Sequence, residues 1–110
     1  MQRLTISIED DLAADFEALV QAQPDAACVA TLTYLYDHHE RTTANRLADM
    51  QHDHHDLTVS TMHAHLEHHL CVETVILRGP ASQVQSFAQQ VLAQRGVRQG
   101  HLHLVPLDGV

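Results

Sequence analysis

The sequence contains no tryptophan and little other aromatic content. Phenylalanine, tyrosine and tryptophan together make up 4% of the 110 residues. Proteins that bind single-stranded nucleic acid usually stack bases on aromatic side chains, so this composition argues against that class. Six basic residues stand against fourteen acidic ones, which gives a formal net charge of −8 with histidine neutral. The bulk charge therefore does not attract nucleic acid, although a local basic patch is compatible with it.

Long apolar runs are also missing. No stretch approaches the roughly 20 residues that a membrane-spanning helix needs, and residues 1–5 do not begin the hydrophobic core of a signal peptide. We therefore expect a cytoplasmic protein with no membrane partner. The two cysteines, Cys28 and Cys71, lie far apart in apolar, strand-like segments. We expect a buried thiol at Cys28 and a core thiol or metal ligand at Cys71, not a disulfide.

Histidine is abundant, with eleven residues in the chain. Most of them lie between His52 and His69, where imidazole ligands for a metal could gather. No Ser-His-Asp arrangement, glycine-rich phosphate loop or spaced pair of carboxylates stands out. We therefore expect that the protein is not an enzyme.

The pattern of apolar residues divides the chain in two and predicts an α+β protein. In residues 1–24, a half-buried strand over residues 3–8 precedes an amphipathic helix over residues 11–22. A strand and one short helix cannot enclose a core alone. Residues 25–110 predict a second unit in the order β-α-β-β-α-β, which is the ferredoxin-like plan. Its last helix fits the spacing of Val84, Phe87, Ala88, Val91 and Leu92, with Gly96 as the residue after its C-cap.

Two histidines and a cysteine form the most specific chemical pattern in the chain. His63 and His65 are two residues apart in a predicted strand, so their imidazoles lie on one face. Cys71 begins the next strand of the same hairpin, which brings its thiol near them. Three residues of the first strand are then expected on the opposite face, towards the helices: Met62, Ala64 and Leu66.

Two imidazoles and a thiolate make an incomplete metal site. His52, His54 or His55, at the end of the preceding helix, could supply the fourth ligand from the same chain or from a second copy. Imidazole serves zinc, copper, iron and nickel, and a thiolate favours the softer metals. These residue types and spacings leave the metal open. The other histidines are individually expected to be solvated surface residues.

Five stretches of the chain resemble the nickel-responsive transcriptional regulators of the NikR family. They are MQRLTI from residue 1, QHDHHDL from residue 51, TMHAHL from residue 61, CVE from residue 71 and QRGVRQGHL from residue 94. The family joins an N-terminal ribbon-helix-helix DNA-binding domain to a C-terminal ACT-like domain of ferredoxin-like topology, and it forms homotetramers. The resemblance thus assigns residues 1–24 to the first domain and 25–110 to the second.

The resemblance also implies ligands and contacts for named residues. A square-planar Ni(II) site would take His63, His65 and Cys71 from one subunit and His52 from the facing subunit, and it would lie at the exposed face of the sheet. Three further residues would lie next to these ligands: Glu73, Tyr36 and His38. Three outward residues of the paired first strands would contact bases in the major groove: Arg3, Thr5 and Ser7.

The family has a second helix and a linker, roughly two dozen residues, where this chain passes directly from Gln23 to Pro24. We interpret this as a segment that exists in the protein but is left out of the sequence given, with the residues renumbered across the gap, and not as a true deletion. The leading hypothesis is then a Ni(II)-dependent repressor of nickel-uptake genes that binds an inverted-repeat operator. The alternatives are a metal-binding ACT-like module, such as a nickel or copper buffer without DNA binding, and an ACT-like domain for a small organic ligand.

Overall fold

The computed structural model of the protein describes residues 18 and 20–107. Six elements follow one another in this part of the chain: β1 (Ala27–Asp37), α1 (Arg41–Asp53), β2 (Thr58–His65), β3 (Leu70–Pro80), α2 (Ala81–Leu92) and β4 (Val97–Pro106). All strand pairs are antiparallel, in the order β2-β3-β1-β4. The expected β-α-β-β-α-β order is therefore confirmed. No helix in the described residues is long and apolar enough to cross a membrane.

The core lies between the two central strands and the helices. Every second residue of β1 from Cys28 to Tyr36 is buried, as expected for a strand with one face in the core. On α2, Val84, Phe87 and Val91 are buried at helical spacing. Apolar contact between these two patterned faces holds α2 on one side of the sheet, and Leu47 of α1 joins the same core cluster.

Most of the N-terminal unit lies outside the described residues, including the predicted strand at residues 3–8. Residues 18 and 20–22 of the predicted helix are helical, and Val20 packs against the core of the sheet domain.

A tight turn joins this helix directly to the sheet domain. The Ala26 N–H donates a hydrogen bond to the Gln23 carbonyl at 3.0 Å, which is the closing bond of a four-residue β-turn. Our interpretation of an omitted segment between Gln23 and Pro24 is therefore wrong, because a turn of this size requires the two residues to be consecutive. The carbonyls of Pro24 and Ala26 also accept hydrogen bonds at 2.9 Å from the first N–H groups of α2, at Ser82 and Ala81. These N–H groups have no partner within the helix, so the turn caps α2.

The open face of the sheet holds the residues that were expected under the helices. β2 is an edge strand, and Met62 and Leu66 are 70% and 55% exposed. The prediction that they face the helices is wrong. His63 instead shares a face with Glu73, its partner across the strands, which is buried. The alternation of β2 is as predicted, but its faces are reversed.

The turn between α2 and β4 depends on a glycine, though not in the predicted role. α2 ends at a C-cap on Ala93, so Gly96 lies beyond the residue after the cap. Gly96 has φ +93°, and a Cβ atom there would lie 2.6 Å from Oγ1 of Thr43 on α1. The Thr43 hydroxyl donates a hydrogen bond to the Arg95 carbonyl at 3.0 Å, so this turn anchors α1 to the rest of the fold.

Replacement of Gly96 by alanine should destabilise the protein. A side chain at positive φ costs about 1–2 kcal/mol, and the overlap with Thr43 adds to this. Urea unfolding should show a lower midpoint for Gly96→Ala, and the loss should shrink in a Thr43→Ala background, where the overlapping oxygen is absent. An unchanged midpoint in the single variant would contradict this account of the turn.

Candidate metal centre

The strand register brings the candidate ligands into two adjacent rows on the helix-facing side of the sheet. In one row, His65 lies opposite Cys71, which lies opposite Tyr36. Directly opposed residues in antiparallel strands have Cα atoms about 4.5–5.5 Å apart. The neighbouring row holds His63 and Glu73. The expectation that His63, His65 and Cys71 share one face is confirmed by this register.

The face itself differs from the expected one. The resemblance placed the site on the exposed face of the sheet, but Cys71 is fully buried and belongs to the core cluster beneath the helices. His63 and His65 are on the same side as Cys71, but they lie on the edge strand β2 and are exposed to solvent. The donor set thus combines a buried sulfur with two solvent-accessible imidazoles.

The row that contains His65 carries a group of aromatic and sulfur contacts. The ring of His65 lies 4.2 Å from the ring of His38, centroid to centroid, and the His38 Nε2 atom is 3.2 Å from the His68 carbonyl. Tyr36 is buried and interacts through its side chain with Cys71. Tyr36, near the end of β1, and His38, in the turn that follows it, therefore lie next to the candidate ligands Cys71 and His65.

A buried carboxylate organises the second row. Glu73 is 6% exposed and accepts hydrogen bonds from the Tyr34 hydroxyl and, at 3.0 Å, from the Gln51 amide. Its second oxygen lies 3.8 Å from Nδ1 of His63. The Gln51 carbonyl oxygen in turn accepts a hydrogen bond of 2.7 Å from the Thr61 hydroxyl. One network therefore joins β1, β2, β3 and the last turn of α1.

The electrostatics of this network favour neutral phenols. Burial raises the pKa of Tyr34 well above its usual range, and the hydrogen bond to Glu73 raises it further. Burial likewise raises the pKa of Tyr36, with smaller contributions in the same direction from the nearby Glu73 carboxylate and the Cys71 side chain. Both hydroxyl groups therefore remain protonated and can donate hydrogen bonds.

The second cysteine takes no part in this centre. Cys28 is fully buried in the core, and burial raises the pKa of its thiol. The thiolate is the form that binds metals, so this environment suits a packing role. Both cysteines are free thiols in the structure.

His52 lies at the exposed surface of the last turn of α1. Its carbonyl is 3.3 Å from Nδ1 of His55. No cluster in the described residues joins His52 to His63, His65 and Cys71. Its neighbour Gln51 contacts Glu73, so His52 follows directly after a residue that is fixed to the network.

The donor atoms of His63, His65 and Cys71 are close in register but are not gathered into a cage. In the described part of the chain, one group of three has its donor atoms within 4.8 Å of one another, and it is a different one: Asp37, His39 and His69. Binding of one ion by all three donors requires rotation of the exposed side chains of His63 and His65, since Cys71 is buried in the core. The candidate DNA contacts, Arg3, Thr5 and Ser7, lie outside the described residues.

Sequence reasoning missed the hydrogen-bond network and the second cluster. Thr61 lies two residues before His63 on β2, and Tyr34 lies on the buried face of β1, so the alternation of side chains along each strand could have indicated both residues. Gln51 comes from a helix, and its approach to Glu73 depends on how α1 packs. The cluster of Asp37, His39 and His69 depends on the contact between two turns, which no local pattern reports.

The fold is an α+β domain whose β2–β3 hairpin carries the candidate metal ligands His63, His65 and Cys71 on one face. The sequence profile of the NikR C-terminal nickel-binding domain matches residues 29–105. The chain is 39% identical to a nickel-responsive regulator of Edwardsiella ictaluri and 42% identical to a putative nickel-responsive regulator of Rhizobium rhizogenes, each over 98% of this chain and 92% of the relative. This chain therefore belongs to the NikR family, which consists of nickel-responsive transcriptional regulators and not of enzymes.

Two further findings qualify the resemblance. Both alignments run over 133 positions, more than the 110 residues of this chain, so parts of those relatives have no counterpart here. Among solved structures, an uncharacterized protein of Thermotoga maritima matches with a TM-score of 0.61 at 14% identity, over 74% of this chain and 99% of that chain. This likeness supports the fold alone.

Replacement of Tyr34 by phenylalanine should destabilise the protein by about 1–3 kcal/mol, because the buried Glu73 carboxylate loses a hydrogen-bond donor. Tyr36→Phe is the comparison variant, since it removes the hydroxyl of another core tyrosine on the same strand, one that interacts with a thiol instead of donating to a carboxylate. Chemical unfolding should show the larger loss for Tyr34→Phe. An equal decrease in the free energy of unfolding for the two variants would mean that the hydrogen bond to Glu73 does not stabilise the fold more than the contact with the thiol does.

Proposed function

We propose that this chain is a nickel-responsive transcriptional repressor. It binds Ni(II) through His63, His65 and Cys71, with His52 of the partner subunit as the fourth ligand, and it represses nickel-uptake genes by binding operator DNA. The observation that carries the metal site is the register, which aligns the two imidazoles and the thiol on one face. Membership of the NikR family supports the regulatory role.

The donor chemistry fits this metal. Imidazole is a good ligand for nickel, and a thiolate narrows the choice towards softer centres. The bound ion supplies a positive charge and directional bonds that join neighbouring strands. Cys71, fixed in the core, sets the position of the centre, and the exposed His63 and His65 rotate towards it.

The residues around the donors hold them in place. Glu73 is 3.8 Å from Nδ1 of His63, so a small rotation of the ring allows Nδ1–H to donate to the carboxylate. Such a hydrogen bond fixes the tautomer of a metal-binding histidine and directs Nε2 to the ion. His38 packs against the ring of His65, and Tyr36 contacts Cys71. These contacts support the roles proposed for Glu73, Tyr36 and His38.

The same network links the metal to quaternary structure. His52 follows Gln51, which is hydrogen bonded to Glu73 and Thr61. Ordering of β2 and β3 by the ion therefore also orders the end of α1 that presents His52 to a partner. Nickel then favours one assembly of a homotetramer, provided that it binds this assembly more tightly than the others.

The DNA-binding role belongs to the N-terminal unit. Paired first strands of two subunits place Arg3, Thr5 and Ser7 in the major groove, and the two-fold symmetry of the assembly selects an inverted-repeat operator. The protein acts in the cytoplasm, where the operator is accessible.

Nickel binding should give a thiolate-to-nickel charge-transfer band that depends on Cys71. We expect Cys71→Ser to lose this band and to bind Ni(II) at least about tenfold more weakly. Cys28→Ala is the control, since Cys28 is buried in the core, and it should keep both. A Cys71→Ser chain with unchanged spectrum and affinity would exclude the proposed centre.

A subunit-mixing experiment tests the shared ligand. His52→Ala and His63→Ala chains should each lose the band alone, but mixed subunits should recover part of it, because one arrangement then contains an intact site. If mixing restores nothing while both variants remain folded and oligomeric, His52 does not act across subunits.

A metal buffer without DNA binding is the second candidate, and one observation favours it. The Gln23–Ala26 turn leaves no room for a second helix between the N-terminal unit and the sheet domain. In a ribbon-helix-helix domain that helix forms much of the dimer core, and its N-terminus contacts the DNA backbone.

Gel-shift experiments separate the two candidates. If the chain is a repressor, it should retard an inverted-repeat DNA fragment from a nickel-uptake promoter only when Ni(II) is present. Arg3→Ala should then weaken DNA binding severalfold, whereas His103→Ala should not. If the chain is a metal buffer, it should bind nickel stoichiometrically but should not retard any candidate operator fragment in a metal-dependent way.

A further inference from the structure

We propose that Asp37, His39 and His69 form a second metal site, distinct from the Cys71 centre, for a divalent transition ion of the zinc type with water as its remaining ligands. Asp37 ends β1, His39 lies in the turn before α1, and His69 lies in the turn of the β2–β3 hairpin. Their donor atoms all lie within 4.8 Å of one another. Two segments that are about 30 residues apart in sequence, the end of β1 with its turn and the hairpin turn, therefore meet at one point.

The spacing of the donor atoms suits a first-row metal. Ligands bound at about 2.0–2.2 Å are separated by at most roughly 4.4 Å across the ion. His39 and His69 are exposed, so small ring rotations close the remaining difference without disturbing the core. Two imidazoles and one carboxylate are a set that zinc accepts with an open position for water. Calcium and magnesium prefer sites built of oxygen ligands.

The backbone around the cluster is already fixed. The His39 N–H donates a hydrogen bond of 2.8 Å to Oδ1 of Asp37, which orients the carboxylate and leaves its other oxygen free to face an ion. The Glu40 N–H closes the turn on the Asp37 carbonyl at 3.0 Å. The His38 N–H donates to the His69 carbonyl, also at 3.0 Å, and so joins the two turns. A site whose carboxylate is hydrogen bonded in this way is partly preorganised.

The rings of the two histidines are placed for joint binding. The His39 and His69 rings have centroids 5.1 Å apart and are nearly perpendicular, at 89°. Two imidazoles that stack in parallel present their nitrogens in the same direction, whereas perpendicular rings can direct one nitrogen each to a common point. His68 lies 4.7 Å from His69 and 5.5 Å from His39, ring to ring, and is the nearest additional donor.

The second site would bear directly on the first. The hairpin turn that contains His69 joins the strand of His65 to the strand of Cys71, and Asp37 lies opposite Leu70 in the register, next to Cys71. An ion held by Asp37, His39 and His69 would tie the end of β1 to this turn. It would therefore restrict the spacing of two proposed nickel ligands without contacting them.

The experiment uses the full chain with His63→Ala and Cys71→Ser, which removes two of the three donors proposed for nickel within a subunit. Zinc titration in competition with a chromophoric chelator should show one bound equivalent in this background. Addition of His39→Ala or His69→Ala should weaken binding at least about tenfold, and so should Asp37→Asn, which keeps a hydrogen-bond acceptor but loses the charge. His103→Ala, which removes an exposed histidine of β4, is the matched control and should have no effect.

Two results would overturn the proposal. One is unchanged zinc affinity after loss of either His39 or His69, and the other is an equal loss in His103→Ala, which would indicate chelation by surface histidines in general. Circular dichroism of each variant confirms that the fold is retained. Because the charge-transfer band of the Cys71 centre is measured separately in the wild-type background, failure of the second site leaves the proposed nickel site untouched, and the converse also holds.

Discussion

The burial of Glu73 is the constraint on which the arrangement of the site depends. A carboxylate removed from water costs several kcal/mol unless hydrogen bonds replace its solvation. Tyr34 and Gln51 provide these bonds from β1 and α1, so the strand and the helix must both approach β3 at this point. The requirement fixes the last turn of α1 over the sheet, and with it the location of His52. Thus a single buried acidic group determines where two parts of the proposed centre meet.

Local patterns in the sequence were enough to predict most of the fold and part of the candidate site. The order of strands and helices follows from period two in β1 and from the helical spacing of Val84, Phe87 and Val91, both of which are local patterns. The co-facial placement of His63, His65 and Cys71 follows from the same alternation. The continuity of the chain from Gln23 to Pro24 was misjudged, since a tight turn at Gln23–Ala26 stands where the family resemblance had led us to expect a further segment.

The choice of sheet face could not be read from the strand alone. Met62 and Leu66 are apolar and would ordinarily face a core, whereas His63 is polar and would ordinarily face solvent. The outcome is reversed because β2 is an edge strand beyond the helices, so neither of its faces is well covered. Partner strands decide the matter: Glu73 and Cys71 must face the core side, and pairing in register brings His63 and His65 with them. The apolar side chains of β2 are left on the open face of the sheet.

The full burial of Cys71 has a consequence for the chemistry of the thiol. A sulfur with no exposed surface reacts with alkylating agents or peroxides only when the surrounding structure opens. The rate at which the thiol is modified therefore measures how often the structure that covers the helix-facing side of β3 opens. Oxidation of Cys71 is therefore limited by local opening of the fold and not by the reactivity of the sulfur itself.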